Sequence, residues 1–223
     1  MNPRECAIEV HHRLLAVYGE PTWHNPLSIL DELVSTILSQ NTNDTNRDRA
    51  FKQLKNSFTT WEEVRDADVN DVIAAIRSAG LANQKGSRIQ KILREITIER
   101  GSLDVDFLMH LPDEEAWAWL NKFNGVGPKT TSIVLLFSLG KAAFPVDTHI
   151  QRVTGRIGLR PEKMSNEKAH QYLAEIFPPA TYAAAHLNII RLGREVCHPR
   201  KPECGICVLN TICDYNQMSQ NRL

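Results

Sequence analysis

The chain lacks any long hydrophobic run. Nothing in its 223 residues approaches the roughly 20 apolar residues of a membrane-spanning helix. The opening MNPRECAIEVHH is charged and has no apolar core of signal-peptide length. Net charge is also missing: 26 basic and 26 acidic residues cancel, so no whole-molecule field draws the chain to a polyanion, and any such binding must rest on local patches. There is no low-complexity segment, no repeat of solenoid length and no convincing run of alternating apolar and polar residues, which argues against a solenoid and against a sheet. These absences lead to the expectation of a cytoplasmic protein. The lack of a spare apolar helix adds the expectation of a monomer.

What is present reads as helix. Apolar residues make up 42% of the chain, enough for a conventional core, and they recur at helical spacing, as in Leu27, Leu30, Val34, Ile37 and Leu38 or in Ile89, Ile92, Leu93 and Ile96. Pro3 and Pro26 suit first-turn positions, and Gly19, Gly80 and Gly101 sit where helices should stop. The fold class expected is therefore all-α. The stretch 138–149, SLGKAAFPVDTH, breaks the pattern with Gly140 and Pro145 and is the best candidate crossover between two helical lobes.

Three segments carry possible chemistry. In LNKFNGVGPKTTSIVLLFSLG a helical approach ending at Phe123 leads into a tight turn of Gly125, Val126 and Gly127, and a second helix begins at Pro128. The glycines permit backbone angles closed to other residues, and Pro128 gives up a donor that a helix start does not use. Such a turn exposes free amides at a positive helix end, a site for a phosphate gripped without reading sequence. Lys129 follows in the first turn, where the helix dipole and the apolar neighbours Val126 and Ile133 work against an ammonium ion. A neutral amine there is a nucleophile able to attack a sugar carbon and form a Schiff base, while a surface lysine that merely touches phosphate also fits. Asp147, in FPVDTHIQRV, precedes a helical run; it can be a plain N-cap, or a carboxylate that supports positive charge at a reacting sugar.

Four of the five cysteines crowd together as C-x6-C-x2-C-x5-C, at Cys197, Cys204, Cys207 and Cys213. In a reducing compartment a metal site explains that clustering better than disulfides, and the spacing alone leaves tetrahedral zinc and a 4Fe-4S cube both open. The first gap, HPRKPE, presents Arg200 and Lys201 between two prolines, either as a phosphate-touching prong or as a solvated basic loop. Cys6 stands alone and reads as a small buried residue.

Taken in order, GVGPKT, VDTHIQRV and the four-cysteine spacing resemble the endonuclease III family of helix-hairpin-helix DNA glycosylases, over roughly residues 26–215 and with every cysteine gap matched. The resemblance implies two helical lobes flanking a DNA-binding cleft. Residues 29–140 would form a six-helix barrel with the hairpin, and 1–28 with 141–223 an iron-sulfur domain holding a 4Fe-4S cluster on the four cysteines. It makes Lys129 the catalytic lysine and Asp147 the catalytic aspartate of a base excision DNA glycosylase with AP lyase activity. The substrate is then double-stranded DNA with a damaged nucleotide, most simply an oxidised or modified pyrimidine, or with an abasic one, met at the nucleoid.

The segment LVSTILSQNTNDTNRD is similar to the family's LSAQATD, whose glutamine fills the gap left by an extruded nucleotide. Residue type selects Gln40, and counting back from Asp44 selects Asn41; polar termination of a helix accounts for either. SQN followed by an aspartate is also similar to plant glycosylases that remove methylated cytosine. FNGVG stands where the family commonly has LPGVG, which puts the hairpin's entry, at Phe123 and Asn124, in doubt. Two other functions stay open: a mismatch-specific or modified-cytosine glycosylase of the same superfamily, and a non-catalytic iron-sulfur protein that binds DNA or senses redox state.

Overall fold

The computed structural model describes residues 1–22, 27–161 and 163–220. The expectation for Pro26 lies outside them. Among the described residues every regular element is helical and no strand occurs, so the chain is all-α as its periodicity predicts. The α-helices are α1 (Pro3–Tyr18), α2 (Ile29–Ser39), α3 (Asp44–Ser57), α4 (Trp61–Asp66), α5 (Val69–Ala75), α6 (Ala82–Arg100), α7 (Asp113–Asn121), α8 (Pro128–Phe137), α9 (Thr148–Ile157), α10 (Asn166–Ile176), α11 (Tyr182–Glu195) and α12 (Asp214–Gln220). Pro3 opens α1, and Gly19 and Gly101 end α1 and α6 at φ of 75° and 79°, a backbone region that a side chain disfavours.

The chain divides into two compact units, Leu27–Leu139 and Met1–Pro26 with Gly140–Leu223. In the first, α2 is buried along nearly its whole length and packs against α3, α6 and α8. Its sequence ILDELVSTIL is apolar on most of its circumference, which suits a helix enclosed by others. Leu33, Ile37, Leu54, Ile76, Ile89, Leu93 and Ile96 form the fully buried centre. Side chains close the helix starts: Ser28, Asn43, Thr60 and Asp68 each accept a backbone amide at the head of α2, α3, α4 and α5, each such cap being worth about 1 kcal/mol.

In the second unit α11 packs on α1 and α9. Phe144 stacks on Phe177 with centroids 4.9 Å apart and meets Tyr182 edge-on. The four residues Ala143, Phe144, Pro145 and Val146, just before α9, are all buried. An extended buried segment has carbonyls to satisfy, and two histidines meet them: His170 Nδ1 lies 3.1 Å from the Phe144 carbonyl oxygen and His186 Nδ1 3.0 Å from that of Pro145.

Burial pushes the Glu32 carboxyl on α2 above the ordinary carboxylate range, against the smaller opposing effects of the Thr36 hydroxyl and the Arg47 charge. The native state therefore keeps this proton longer than the unfolded chain. The stability it lends is complete below the ordinary pKa and is lost as pH rises through the raised one. Glu32→Gln is expected to gain stability relative to wild type as pH climbs from about 4 to about 8, measured as the difference in urea midpoints; a difference that ignores pH would show an ordinary carboxyl.

Candidate functional site

The hairpin forms between α7 and α8. The approach helix ends at Asn121 rather than Phe123, because the chain tightens there: the Phe123 amide reaches the Leu120 carbonyl and the Val126 amide the Phe123 carbonyl at 3.0 Å. Phe123 and Val126 are buried at 3% exposure each and pin the turn to the core. Gly125 has φ of 87°. Gly127 is the N-cap of α8 with no side chain capping it, and Pro128 follows as the first helical residue. Unlike the closed starts of α2 to α5, this helix start keeps its first amides for an outside acceptor, the arrangement that receives phosphate. Lys129 is half-buried, and among the described residues its amine has no hydrogen-bond or ion-pair partner.

One loop of the same unit is tied to this hairpin, and a second loop is tied to the first. Gln40, at the end of α2, donates from Nε2 to the Gly125 carbonyl at 3.1 Å and accepts at Oε1 from Arg88 Nη1 at 2.8 Å. Both ends of its amide are engaged. Asn41, next to it, is exposed and left-handed at φ 53°. Leu81, at the head of α6, is left-handed at φ 50° and 49% exposed. Lys85, one turn into α6, is buried and donates to the carbonyls of Leu38 and Ala79 at 2.8 Å each, so one ammonium holds the ends of both loops. Burial, with Arg88 nearby, pushes its pKa down. Sequence reading passed over Leu81, Lys85 and Arg88. The spacing of the two cations on α6 was visible, but their partners lie far along the chain.

Asp147 caps α9, its Oδ1 accepting the Ile150 amide at 2.8 Å. The same helix grips the cysteine loop. Arg152 donates to the carbonyls of Cys197 at 2.9 Å and Gly193 at 2.7 Å. Arg156 donates to the carbonyls of His198 at 2.6 Å and Pro199 at 2.9 Å and lies 3.3 Å from Cys197 Sγ. Arg200 and Lys201, next along the loop, are exposed, Lys201 at φ 51°.

Cys197, Cys204, Cys207 and Cys213 line one pocket with Arg156 and Tyr215, and none is in a disulfide. Burial pushes the Cys207 and Cys213 thiols up, and neighbouring cysteines add to this. At Cys207 and Cys213 the protein alone thus works against the thiolate, while bound iron favours it. Four thiol donors thus line a single pocket. Four thiolates are the donor set that holds a four-iron cube. The donor set fits the cluster. Lys129, Gln40, Asn41 and the hairpin belong to one unit, and Asp147, the four cysteines, Arg200 and Lys201 to the other.

Residues 34–179 match the HhH-GPD superfamily of base excision DNA repair proteins, and residues 197–213 the iron-sulfur binding domain of endonuclease III. A protein of Arabidopsis thaliana named as a DNA glycosylase is 41% identical over 151 residues, covering 68% of this chain; the chain spans about half, 52%, of that relative's length. Endonuclease III of Sulfolobus acidocaldarius is 32% identical over 84% of this chain and 82% of its own. A trapped covalent intermediate of endonuclease III with DNA shares the fold at a TM-score of 0.84, with 24% identity, over 99% of this chain and all of that one.

Arg156→Met removes the donors that Cys197, His198 and Pro199 share. Limited proteolysis of the variant is expected to cut between Cys197 and Cys204 several-fold faster than in wild type with the helical circular dichroism unchanged. Equal cutting rates would show that the loop holds its shape without Arg156.

Proposed function

Because the chain belongs to the endonuclease III family of HhH-GPD base excision DNA repair proteins, we propose that it excises a damaged base from duplex DNA and then nicks the strand, with Lys129 as the nucleophile and Asp147 as its supporting carboxylate. The observation that carries this reading is the half-buried amine of Lys129, unpartnered among the described residues, at the open head of α8. The turn at Gly125, Val126 and Gly127 takes a backbone phosphate on its free amides, that of Val126 being engaged by the Phe123 carbonyl, and the exposed Arg200 and Lys201 take others, positioning the duplex without reading its sequence. Of the two residues expected at the gap left by an extruded nucleotide, Gln40 is held on the hairpin, and the exposed Asn41 is free to enter it. Leu81, an apolar side chain held outward on a left-handed backbone, suits insertion between bases.

The target bond is unreachable inside the stack, so the nucleotide must first be turned out. Lys129 Nζ then attacks C1′ of the deoxyribose, and the glycosidic bond breaks with its electron pair leaving on the base, which takes up a proton. Opening of the sugar ring gives an imine between lysine and sugar. Loss of a C2′ proton expels the 3′ phosphate, which breaks the strand on the 3′ side of the lesion, and water releases the lysine. The Asp147 carboxylate supports the positive charge on the sugar and the proton transfers.

The cofactor is a 4Fe-4S cluster, and the ligands proposed for it are Cys197, Cys204, Cys207 and Cys213; when bound it supplies four iron–thiolate bonds that stiffen a loop poor in apolar contacts. No helix among the described residues is long and apolar enough to cross a membrane. We place the protein, as a monomer, at the nucleoid of the cytoplasm.

Borohydride in the presence of a duplex carrying an oxidised pyrimidine is expected to trap wild type on DNA, and Lys129→Gln is expected to give no adduct. Asp147→Asn keeps an equivalent cap while removing the charge, so it should fold normally yet release base about a hundredfold more slowly or worse. Base release without trapping, on a panel that includes mispaired thymine and methylated cytosine, would instead favour a glycosylase that works through water. Tight binding with no release at all would favour a non-catalytic role.

A further inference from the structure

Arg88 occupies a place that its neighbours on α6 do not explain. The chain holds as many acids as bases, yet among the described residues Arg88 has no carboxylate partner; the one bond it makes with a side chain is to the neutral amide of Gln40. Its guanidinium lies against Gly125 so closely that a Cβ there would run into it. The glycine is favoured by its φ of 87°, and its missing Cβ leaves room for the arginine in this position. Gln40 completes the link by donating to the Gly125 carbonyl. Arg88, Gln40 and Gly125 come from three separate parts of the chain but from a single unit. A guanidinium is rigid and planar, and a bond it donates to an amide oxygen polarises that amide's own N–H toward the next acceptor.

We propose that Arg88 is a positioning residue for DNA binding: it fixes Gln40 on the hairpin turn, so that the loop carrying Asn41 and the turn that takes phosphate meet a damaged duplex as one rigid piece. The proposal rests on the function argued above, and it assigns Arg88 no contact with DNA. Preorganisation of this kind raises affinity because the two loops need not be ordered on binding. It leaves the bond-breaking steps at Lys129 untouched.

The test is a double-mutant cycle of Arg88→Met and Gln40→Met. Its readout is the dissociation constant for a duplex carrying an uncleavable abasic analogue, at several salt concentrations, and the single-turnover rate at saturating DNA. Each single variant is expected to bind about tenfold more weakly and the double variant no more weakly than either, because both break the same link. Saturated turnover should stay within about twofold, Arg88→Lys should recover part of the affinity, and the salt dependence should keep its slope, since hairpin amides release no counterions. Losses that multiply in the double variant, or a slope lowered by about one in Arg88→Met, would make Arg88 a phosphate contact instead and overturn the proposal. Undiminished affinity in Gln40→Met would overturn it too, and that variant alone suffices should Arg88→Met fail to fold. Amide hydrogen exchange across residues 123–127 in the free protein gives a second reading, faster in either variant if the link holds the turn and unchanged if it does not. Exchange is independent of catalysis, so a wild type that is never trapped by borohydride would refute the proposed reaction while leaving the link to be judged by itself.

Discussion

A backbone amide or carbonyl withdrawn from water must find a partner or cost the fold of the order of 1–3 kcal/mol. A protein of short helices has many such groups, because each helix leaves four amides and four carbonyls unbonded at its ends. Most of the functional residues of this chain can be understood as answers to that constraint. Asp147 meets it at the head of α9. Lys85 meets it for the carbonyls of Leu38 and Ala79, and Arg152 and Arg156 for those of Gly193, Cys197, His198 and Pro199. At the head of α8 the constraint is left open, with no side chain over the amides. That helix start borders the turn where a DNA phosphate would complete what the protein does not.

The same constraint explains why long cations replace apolar packing around the loops. The stretch from Cys197 to Cys213 contains only single turns of helix and one fully buried apolar residue, Leu209. It cannot be held by hydrophobic burial alone. Two arginines of α9 grip its beginning, and the iron-sulfur cluster proposed on its four thiols would fix the rest. One helix therefore carries the proposed supporting carboxylate at its head and, one and two turns on, the guanidiniums that grip the cluster loop.

The loops expected to touch DNA share a second property. Asn41, Leu81 and Lys201 are the three residues other than glycine with left-handed backbone among those described. A leucine in that region costs about 1 kcal/mol or more. Such strain persists where surrounding bonds over-determine the backbone, as Lys85 does beside Asn41 and Leu81. Each of the three side chains is exposed.

By itself the sequence determined the helical class, the glycine stops at Gly19 and Gly101, the turn before Pro128, the cap at Asp147 and the grouping of the cysteines. All of these depend on local chemistry: periodicity, permitted backbone angles, and spacings of a few residues. The mutual arrangement of Gln40, Arg88 and Gly125, the burial of Lys85, and the outward placing of Asn41 were decided only by tertiary structure. In each case the partner lies far along the chain, and no pattern in the residues between them encodes the meeting. Which end of an amide faces a carbonyl, and which of two neighbouring polar residues faces solvent, is set by how helices pack, and packing is a property of the whole unit.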